Sequence, residues 1–244
     1  MRVFDLVLYN QEADMLDVRL SHLEDAVDQF IILEGESTFM GRPKKTGLEP
    51  RHANHPKVEY RTFSWGGPWG WAAEHAQRNH LFSIVEDFQP HDQDIVTVCD
   101  CDEIWDPEDI QTLAYGQWRA WVMKRTVMSV YWRLDDEFTA VGGPWGTRPV
   151  SAQQARSGRY SMPILRSGWH LSWMGGPEWA ANKMREFCHQ ELMVADPEAF
   201  MEKNYTIGRS IRGEGLFEDA ELDARLPKMI LDGKAPAAWY RKRQ

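Results

Sequence analysis

Apolar residues follow two different periods along the first half of the chain. Four runs rich in branched apolar residues predict β-strands, and they lie at 3–9, 29–34, 57–63 and 94–99. Between these runs, apolar residues repeat with helical spacing at 15–27 and at 72–88, and a further helix is expected to begin at 107. Strands that alternate with helices are typical of a mostly parallel sheet flanked by helices. The pattern therefore predicts an α/β fold.

The second half of the chain has a less regular pattern. Three further elements are expected: one or two strands within 119–132, a strand within 164–173 and a helix over 178–194. Segments rich in glycine and proline predict loops, and they lie at 35–56, 66–71 and 142–146. Because no linker-like stretch divides the chain, we expect residues 1–244 to form a single domain.

Composition and charge exclude several classes of protein. The chain of 244 residues is long enough for a full core, and its 43% hydrophobic residues indicate a globular protein. It contains no apolar run of about eighteen residues, so we expect no membrane span. Three cysteines, and an N-terminus that looks like a first strand, favour a cytoplasmic protein without a disulfide framework. The net charge of −9 argues against broad nucleic-acid binding.

The segment 95–105 carries the clearest chemical signal. A short apolar run ends in Asp100 and Asp102, with Glu103 directly behind them. Residues i and i+2 of a strand share a face, so both carboxylates are expected to point the same way. Open α/β sheets bind ligands at this end of their strands, and two such carboxylates repel each other unless a cation lies between them. Many glycosyltransferases use this Asp-X-Asp arrangement to hold Mg²⁺ or Mn²⁺ and the diphosphate of a nucleotide sugar.

Several short segments, taken in order, resemble one known family. They include Tyr9-Asn10-Gln11-Glu12, Asp100-Cys101-Asp102-Glu103 and Gly168-Trp169-His170-Leu171-Ser172, with others at 16–20, 33–34, 38–44, 71–79 and 183–191. In this order and spacing the chain resembles glycosyltransferase family 17, the β-1,4-mannosyl-glycoprotein β-1,4-N-acetylglucosaminyltransferase family. Cys101 stands where the family usually has an apolar residue.

The resemblance implies a Rossmann-like sheet of the type called GT-A, mixed but mostly parallel, in a metal-dependent transferase that inverts the anomeric carbon. The implied donor is a UDP-sugar, UDP-N-acetylglucosamine first, and the implied cofactor is Mn²⁺ or Mg²⁺. Residues 1–115 would form the half that binds the nucleotide sugar, and 116–244 the acceptor-side half and tail. The acceptor stays open among a glycan, a lipid-linked glycan, a protein and modified bases of nucleic acid, the last disfavoured by the net charge.

The resemblance also implies a set of metal ligands. Asp102 would bind the ion, and Asp100 would bind it directly or through water, so that the ion stabilises the departing diphosphate as a Lewis acid. Related folds often complete this site with a distant histidine. His189 is the first candidate and His170 the second, and a structural histidine is as plausible for each. Glu103 is expected behind the ligands rather than among them.

Donor-binding roles fall on residues near the predicted strand ends. Asn10, Glu12 and Glu34 lie where such folds hold the base and ribose. Gln77 and Arg78 lie on the helix that precedes the Asp-X-Asp strand, where a guanidinium can pair with diphosphate oxygens or with a carboxylate. The alternative is that Arg78 forms only a surface ion pair.

An inverting transfer needs a general base. Glu178 follows a glycine-rich turn, as the acidic residue does in other inverting transferases of this fold, although an acid is also common in the first turn of a helix. Asp136 is the second candidate, in a cluster of acids that a solvated turn explains equally well. Trp169 and Trp173 are candidates for stacking on a sugar, or for the core. Arg19 is expected to anchor Asp17 or Glu34.

Two other classes of function are compatible with the sequence. A nucleotidyltransferase or nucleotide-sugar hydrolase uses a similar sheet, but the first strand is followed by Asn10-Gln11-Glu12 and not by a glycine-rich basic loop that cradles phosphates. A non-catalytic module that binds nucleotide sugars would hold the same ligand without turnover. Both alternatives stay open at the level of sequence.

Overall fold

Strands from both halves of the chain form one mixed sheet in the computed structural model, which describes residues 1–213 and 215–242. In chain order the strands are β1 (Val3–Tyr9), β2 (Gln29–Gly35), β3 (Val58–Phe63), β4 (Ile95–Asp100), β5 (Glu103–Ile104), β6 (Arg119–Val127), β7 (Trp132–Pro144), β8 (Ile164–Leu165), β9 (Trp169–Ser172) and β10 (Glu218–Asp219). Their spatial order is β3-β2-β1-β4-β7-β6-β9-β5, with β8 beside β6 and β10 beside β7.

Helices flank this sheet. The α-helices are α1 (Ala13–Leu23), α2 (Pro50–Ala53), α3 (Trp71–Asp87), α4 (Ile110–Leu113), α5 (Ala152–Ser157), α6 (Pro177–Glu186), α7 (Pro197–Ile207) and α8 (Lys228–Leu231). Short 3-10 helices occupy Pro107–Asp109, Trp145–Thr147, Arg159–Ser161, Gln190–Leu192 and Ala237–Tyr240. Within the described residues, no helix combines the length and the apolar composition that a bilayer crossing requires.

The first half of the chain forms the parallel part of the sheet, as predicted. β3, β2, β1 and β4 are parallel neighbours, with α1 connecting β1 to β2 and α3 connecting β3 to β4. β1 is buried along its whole length because helices cover both faces, which explains its unbroken apolar run. The α/β fold class is confirmed, and the arrangement is consistent with a GT-A-like sheet. The carboxyl ends of β1 and β4 lie side by side at one edge.

The side chains of β1 alternate between two cores. Val3 and Val7 face a core that includes α1 and α8, whereas Phe4 and Leu6 face a core that includes α3 and α5. A third cluster joins α6 and α7 to β7 through residues such as Trp132. The sheet is therefore a rigid layer between helices, and the loops after its parallel strands are held from both sides.

The second half departs from the predicted elements. The loop expected at 142–146 is wrong for its first three residues, because β7 extends through Pro144 and pairs antiparallel with both β4 and β6. Gly143 is required there, since a Cβ on it would lie only 2.7 Å from Cδ1 of Trp118. The glycines that suggested a loop are places where tryptophan rings pack against a strand backbone.

Helix boundaries also differ from the sequence pattern. The helix expected over 178–194 is α6 and ends at Glu186, because Phe187 has an extended backbone and is followed by a 3-10 turn. The helices α5 and α7 have no counterpart in the predicted pattern. Both are capped by a side chain, Ser151 before α5 and Asp196 before α7, which is a local signal that periodicity does not register.

Candidate active site

A cavity of about 430 Å³ opens at the carboxyl ends of β1 and β4. Most of the residues expected to bind the donor or the metal line it: Asn10, Glu12, Gln77, Arg78, Asp100, Asp102, His170 and His189. It lies at the edge where open α/β sheets bind their ligands. We call it the donor cavity.

Asp100 is the last residue of β4, and two arginines hold it. Arg78 Nη2, on α3, donates to Asp100 Oδ1 at 3.0 Å, and Arg156 Nη2, on α5, donates to Asp100 Oδ2 at 3.0 Å. Arg156 also donates to both carboxylate oxygens of Glu103, at 2.6 and 2.9 Å. Burial would raise the pKa of Asp100, but Arg156 and Arg78 outweigh it and hold the pKa well below its ordinary value. Asp100 is therefore a firmly ionised carboxylate.

Asp102 lies in the turn after β4 and not on the strand, so the expected strand alternation does not apply to it. Lys183 Nζ, on α6, lies 3.3 Å from Asp102 Oδ2 and donates to Glu12 Oε1 at 2.8 Å. His170 Nε2 lies 3.7 Å from Asp102 Oδ1. Each oxygen of Asp102 thus faces a basic side chain. Burial lowers the pKa of Lys183, but Asp102 and Glu12 outweigh this effect and raise the pKa above its ordinary value.

A buried ion pair fixes the backbone of this turn. Arg19 and Asp5 are completely buried, and Arg19 donates twice to Asp5, at 2.7 Å each. Arg19 Nη1 donates to the carbonyl oxygen of Glu103 at 2.6 Å and approaches the carbonyl of Asp100 at 3.3 Å. The expectation that Arg19 anchors Asp17 or Glu34 is wrong. Its partner lies on β1, because Asp5 points to the face that α1 covers.

A histidine and a glutamate that line the donor cavity contact each other. His170 Nδ1, on β9, lies 3.1 Å from Glu137 Oε2, on β7. Arg125 and Arg212 also contact Glu137, at 3.1 and 3.4 Å. Burial lowers the pKa of His170, but Asp102 and Glu137 outweigh it and raise the pKa. Nε2 of His170 therefore faces Asp102 from a ring whose orientation Glu137 fixes.

The residues expected to hold the nucleoside have different environments. Asn10 Nδ2 donates to Glu186 Oε2 at 2.9 Å, while its buried Oδ1 has no hydrogen-bond partner among the described residues. Gln77 Nε2 donates to the carbonyl oxygen of Leu33 at 2.9 Å, which ties α3 to β2. Glu34 is completely buried, is not among the residues that line the donor cavity, and accepts hydrogen bonds from Lys44, the amide of Gly47 and the Tyr60 hydroxyl.

Two expected catalytic carboxylates lie elsewhere. Glu178 is exposed in the first turn of α6, and Asp136 is exposed on β7. Neither lines the donor cavity. Asp136 belongs to a strand and not to a solvated turn, and its neighbours Glu137 and Phe138 line the cavity instead.

His189 lines the donor cavity but has its own partners. Its Nδ1 contacts Glu191 Oε1 at 2.6 Å, and its ring packs edge-on against Trp71 with 4.4 Å between ring centres. Trp173 lines the same cavity, whereas Trp169 packs in the core beside Lys124 and Arg133.

Comparison with known proteins identifies the family. The family model described as "Glycosyltransferase family 17" matches residues 1–218. The chain belongs to glycosyltransferase family 17. Among its relatives is the human beta-1,4-mannosyl-glycoprotein 4-beta-N-acetylglucosaminyltransferase, which is 26% identical over an alignment of length 224, with 72% of this chain and 41% of that protein covered. The rat and mouse proteins of the same name are 26% and 25% identical with the same coverage. The chain spans about two fifths of the length of these relatives.

The family 17 site includes residues that sequence reasoning did not identify. Arg156 lies outside every segment that carries the resemblance, so no motif points to it. Glu137 belongs to the acidic cluster in which Asp136 is the candidate base, but its contact with His170 is not predicted. Lys183 lies within such a segment, but its pairing with Glu12 depends on a contact across 171 positions of the chain. All three lie in polar stretches of the sequence, so no local pattern marks them as members of the site.

The donor atoms of this site suit a hard divalent cation held jointly with a substrate. Among the described residues, no three His, Cys, Asp or Glu side chains converge as a complete metal site. Asp102 and Glu12 nevertheless direct carboxylate oxygens at one position, where Lys183 Nζ lies. Mg²⁺ and Mn²⁺ are often bound through one or two carboxylates together with substrate phosphates. Of the residues present, Asp102 is the one that would hold an ion of that kind.

Proposed function

We propose that this family 17 protein is an inverting glycosyltransferase that moves a sugar from a UDP-sugar to an acceptor hydroxyl. One observation carries the proposal: the donor cavity combines the Asp-X-Asp carboxylates with five lysine or arginine side chains, at the ligand-binding edge of the sheet. The cations that line it are Arg78, Arg156, Arg159, Lys183 and Arg212. The names of the relatives support N-acetylglucosamine as the sugar.

The cations are suited to a diphosphate. Arg78 and Arg156 are buried, planar donors that Asp100 already orients toward the cavity. Arginine forks match phosphate oxygens in geometry, and they stabilise the negative charge that develops as the diphosphate leaves. Lys183 adds a compact charge beside Asp102.

The nucleoside half of the donor fits the end of β1. Asn10 Oδ1 is a buried acceptor that a ring N–H or a ribose hydroxyl would satisfy. This supports a nucleotide bound against residues 1–115, with α3 beside the diphosphate.

A divalent ion, Mn²⁺ or Mg²⁺, completes the proposal. Bound between Asp102 and the diphosphate, it would act as a Lewis acid on the leaving group. Asp100 is held by its two arginines and would act through water. Lys183 would then contact Glu12 and the diphosphate rather than Asp102.

Release of UDP from a panel of UDP-sugars, with and without Mn²⁺, tests this proposal. We expect metal-dependent release that is strongest with UDP-N-acetylglucosamine and is lost in Asp102→Asn. Asp87→Asn, at the exposed end of α3, is the matched control and should behave as the unsubstituted protein. Absence of both binding and release with every UDP-sugar would refute the donor assignment. Fast hydrolysis of a UDP-sugar, with no sugar transferred to any acceptor that is added, would identify a hydrolase instead.

A further inference from the structure

A second cavity, of about 290 Å³, adjoins the donor cavity. Two residues, Glu12 and Asp102, line both. The second cavity lies on the other side of these carboxylates, between the start of α1, the start of α6 and the C-terminal 3-10 helix. We call it the side cavity.

The two cavities differ in charge. The side cavity is lined by the carboxylates of Glu12, Asp14, Glu49 and Asp102, and the described residues that line it include no lysine, arginine or histidine. The donor cavity, in contrast, is lined by five lysine or arginine side chains. Lys183 lies between Glu12 and Asp102, and Arg51 pairs with Glu49, so the charge of these carboxylates is partly compensated. An anionic ligand is still disfavoured there relative to the donor cavity, and we expect a ligand without negative charge.

The remaining lining is apolar and aromatic. Its members are Ala13, Met15, Leu171, Met174, Gly175, Trp179, Pro236 and Trp239, together with the polar Gln11. A wall of indole and aliphatic groups beside several hydrogen-bond acceptors matches a sugar, which presents apolar C–H faces and a rim of hydroxyl donors. Gly175 is necessary for this wall, because a Cβ on it would collide with the Trp179 indole.

We infer that the side cavity holds the acceptor as a neutral sugar, and that Glu12 is the general base. This inference rests on the proposed function, since it needs the donor in the first cavity. A general base must contact the acceptor hydroxyl while the oxygen of that hydroxyl faces the anomeric carbon of the donor, and Glu12 lines both cavities. Lys183 fixes its carboxylate in that position, at 2.8 Å.

The transfer step then balances without a further reactant. The acceptor oxygen forms a bond to the anomeric carbon while its proton passes to the carboxylate of Glu12. The bond from the anomeric carbon to the diphosphate oxygen breaks, and its electron pair stays on UDP. Attack from the side opposite the leaving group inverts the anomeric carbon.

Saturation-transfer NMR of the whole protein with UDP bound tests the side cavity. The neutral probes are methyl β-D-mannoside and methyl β-D-glucoside, and the anionic probe is methyl β-D-glucuronide, which differs from the glucoside at C6. We expect saturation of a neutral probe and about tenfold weaker binding of the glucuronide, equivalent to about 1.4 kcal/mol. Gly175→Ala should weaken binding of the neutral probe by a similar factor, while the Kd for UDP should stay within about twofold of that of the unsubstituted protein.

A charge variant separates binding from folding. Asp14→Asn combined with Glu49→Gln changes two exposed side chains, so folding should be unaffected, and it should bring glucuronide binding close to that of the glucoside. Glu12→Gln should abolish transfer while UDP still binds. Equal binding of glucoside and glucuronide by the unsubstituted protein, or indifference to Gly175→Ala, would overturn the inference. Failure of the unsubstituted protein to bind UDP would instead refute the proposed function.

Discussion

At the scale of single residues, Arg156 organises the Asp-X-Asp segment. One guanidinium donates to Asp100 and to both oxygens of Glu103, which in turn accepts a hydrogen bond from the Asp100 amide at 2.9 Å. Lysine has no planar fork and cannot make these contacts together. The geometry of the Asp100 carboxylate therefore depends on a residue 56 positions away in the sequence.

We therefore expect Arg156→Lys to lower UDP-sugar turnover by about ten- to a hundredfold, a loss of about 1.4–2.7 kcal/mol of transition-state stabilisation. The measurement is kcat/KM for metal-dependent UDP release, together with Tm to exclude unfolding. Arg61→Lys, in a half-exposed surface pair with Glu59, is the control and should change neither quantity. Full activity of Arg156→Lys would show that the fork has no role in the transfer.

At the scale of elements, the buried Asp5–Arg19 pair joins α1, β1 and the turn after β4. Asp5 also accepts hydrogen bonds from Thr97 Oγ1 at 2.7 Å and Trp105 Nε1 at 3.0 Å. Loss of the arginine would leave a buried carboxylate without its charge partner, and such losses cost about 3–5 kcal/mol. Loss of both charges removes that penalty.

Arg19→Met is accordingly expected to lower the free energy of unfolding by about 3–5 kcal/mol, measured by urea denaturation. The double variant Asp5→Asn, Arg19→Met should recover part of this loss. Lys228→Met, which removes an exposed pair with Asp232, should have little effect. A double variant as unstable as the single one would contradict the explanation by an unpaired charge.

The same scale shows how far the sequence predicts the fold. The parallel strands and the helices α1 and α3 follow from periodicity, because burial on both faces makes their apolar runs continuous. The extent of β7 does not, since its glycines are explained only by Trp118 and Trp121, which pack against them from β6 and the residue just before it. A local pattern predicts the element to which a residue belongs only when that element's own burial sets the pattern. The glycines of β7 are instead set by tertiary packing against tryptophan rings.

The residues of the candidate site also fall into two groups, those that the sequence predicts and those that it does not. Asp100, Asp102 and Arg78 are found from the sequence because a strand end and the helix before it bring them to one edge. The predictions of Glu178 and Asp136 rest on local context, a glycine-rich turn and an acidic cluster, and local context does not determine the direction of either side chain. Glu137 and Glu12 face the cavities because of pairings with β6 and α6 that no local pattern encodes.

At the scale of the whole molecule, stability depends on carboxylates held below their ordinary pKa. Asp94 is one such carboxylate outside the site, and its buried side chain accepts hydrogen bonds from the amides of Arg2 and His91 and from the Arg2 guanidinium. Burial would raise the pKa of Asp94, but these donors outweigh it and lower the pKa. These hydrogen bonds connect the residue before β1 to the loop before β4.

The sign of the pH dependence follows from that direction. In the unfolded chain the carboxyl of Asp94 has a pKa of about 3.9, so above this value it is ionised in both states and its stabilising contribution is complete. As the pH falls below about 4, the unfolded chain takes up the proton first and the contribution is lost. Asp94→Asn should thus lower the free energy of unfolding by about 1–3 kcal/mol at pH 7, with the difference from the unsubstituted protein shrinking toward pH 3. Urea titrations at pH 7, 5, 4 and 3 measure this difference, and one that stays constant across the series would show that the charge of Asp94 does not stabilise the fold.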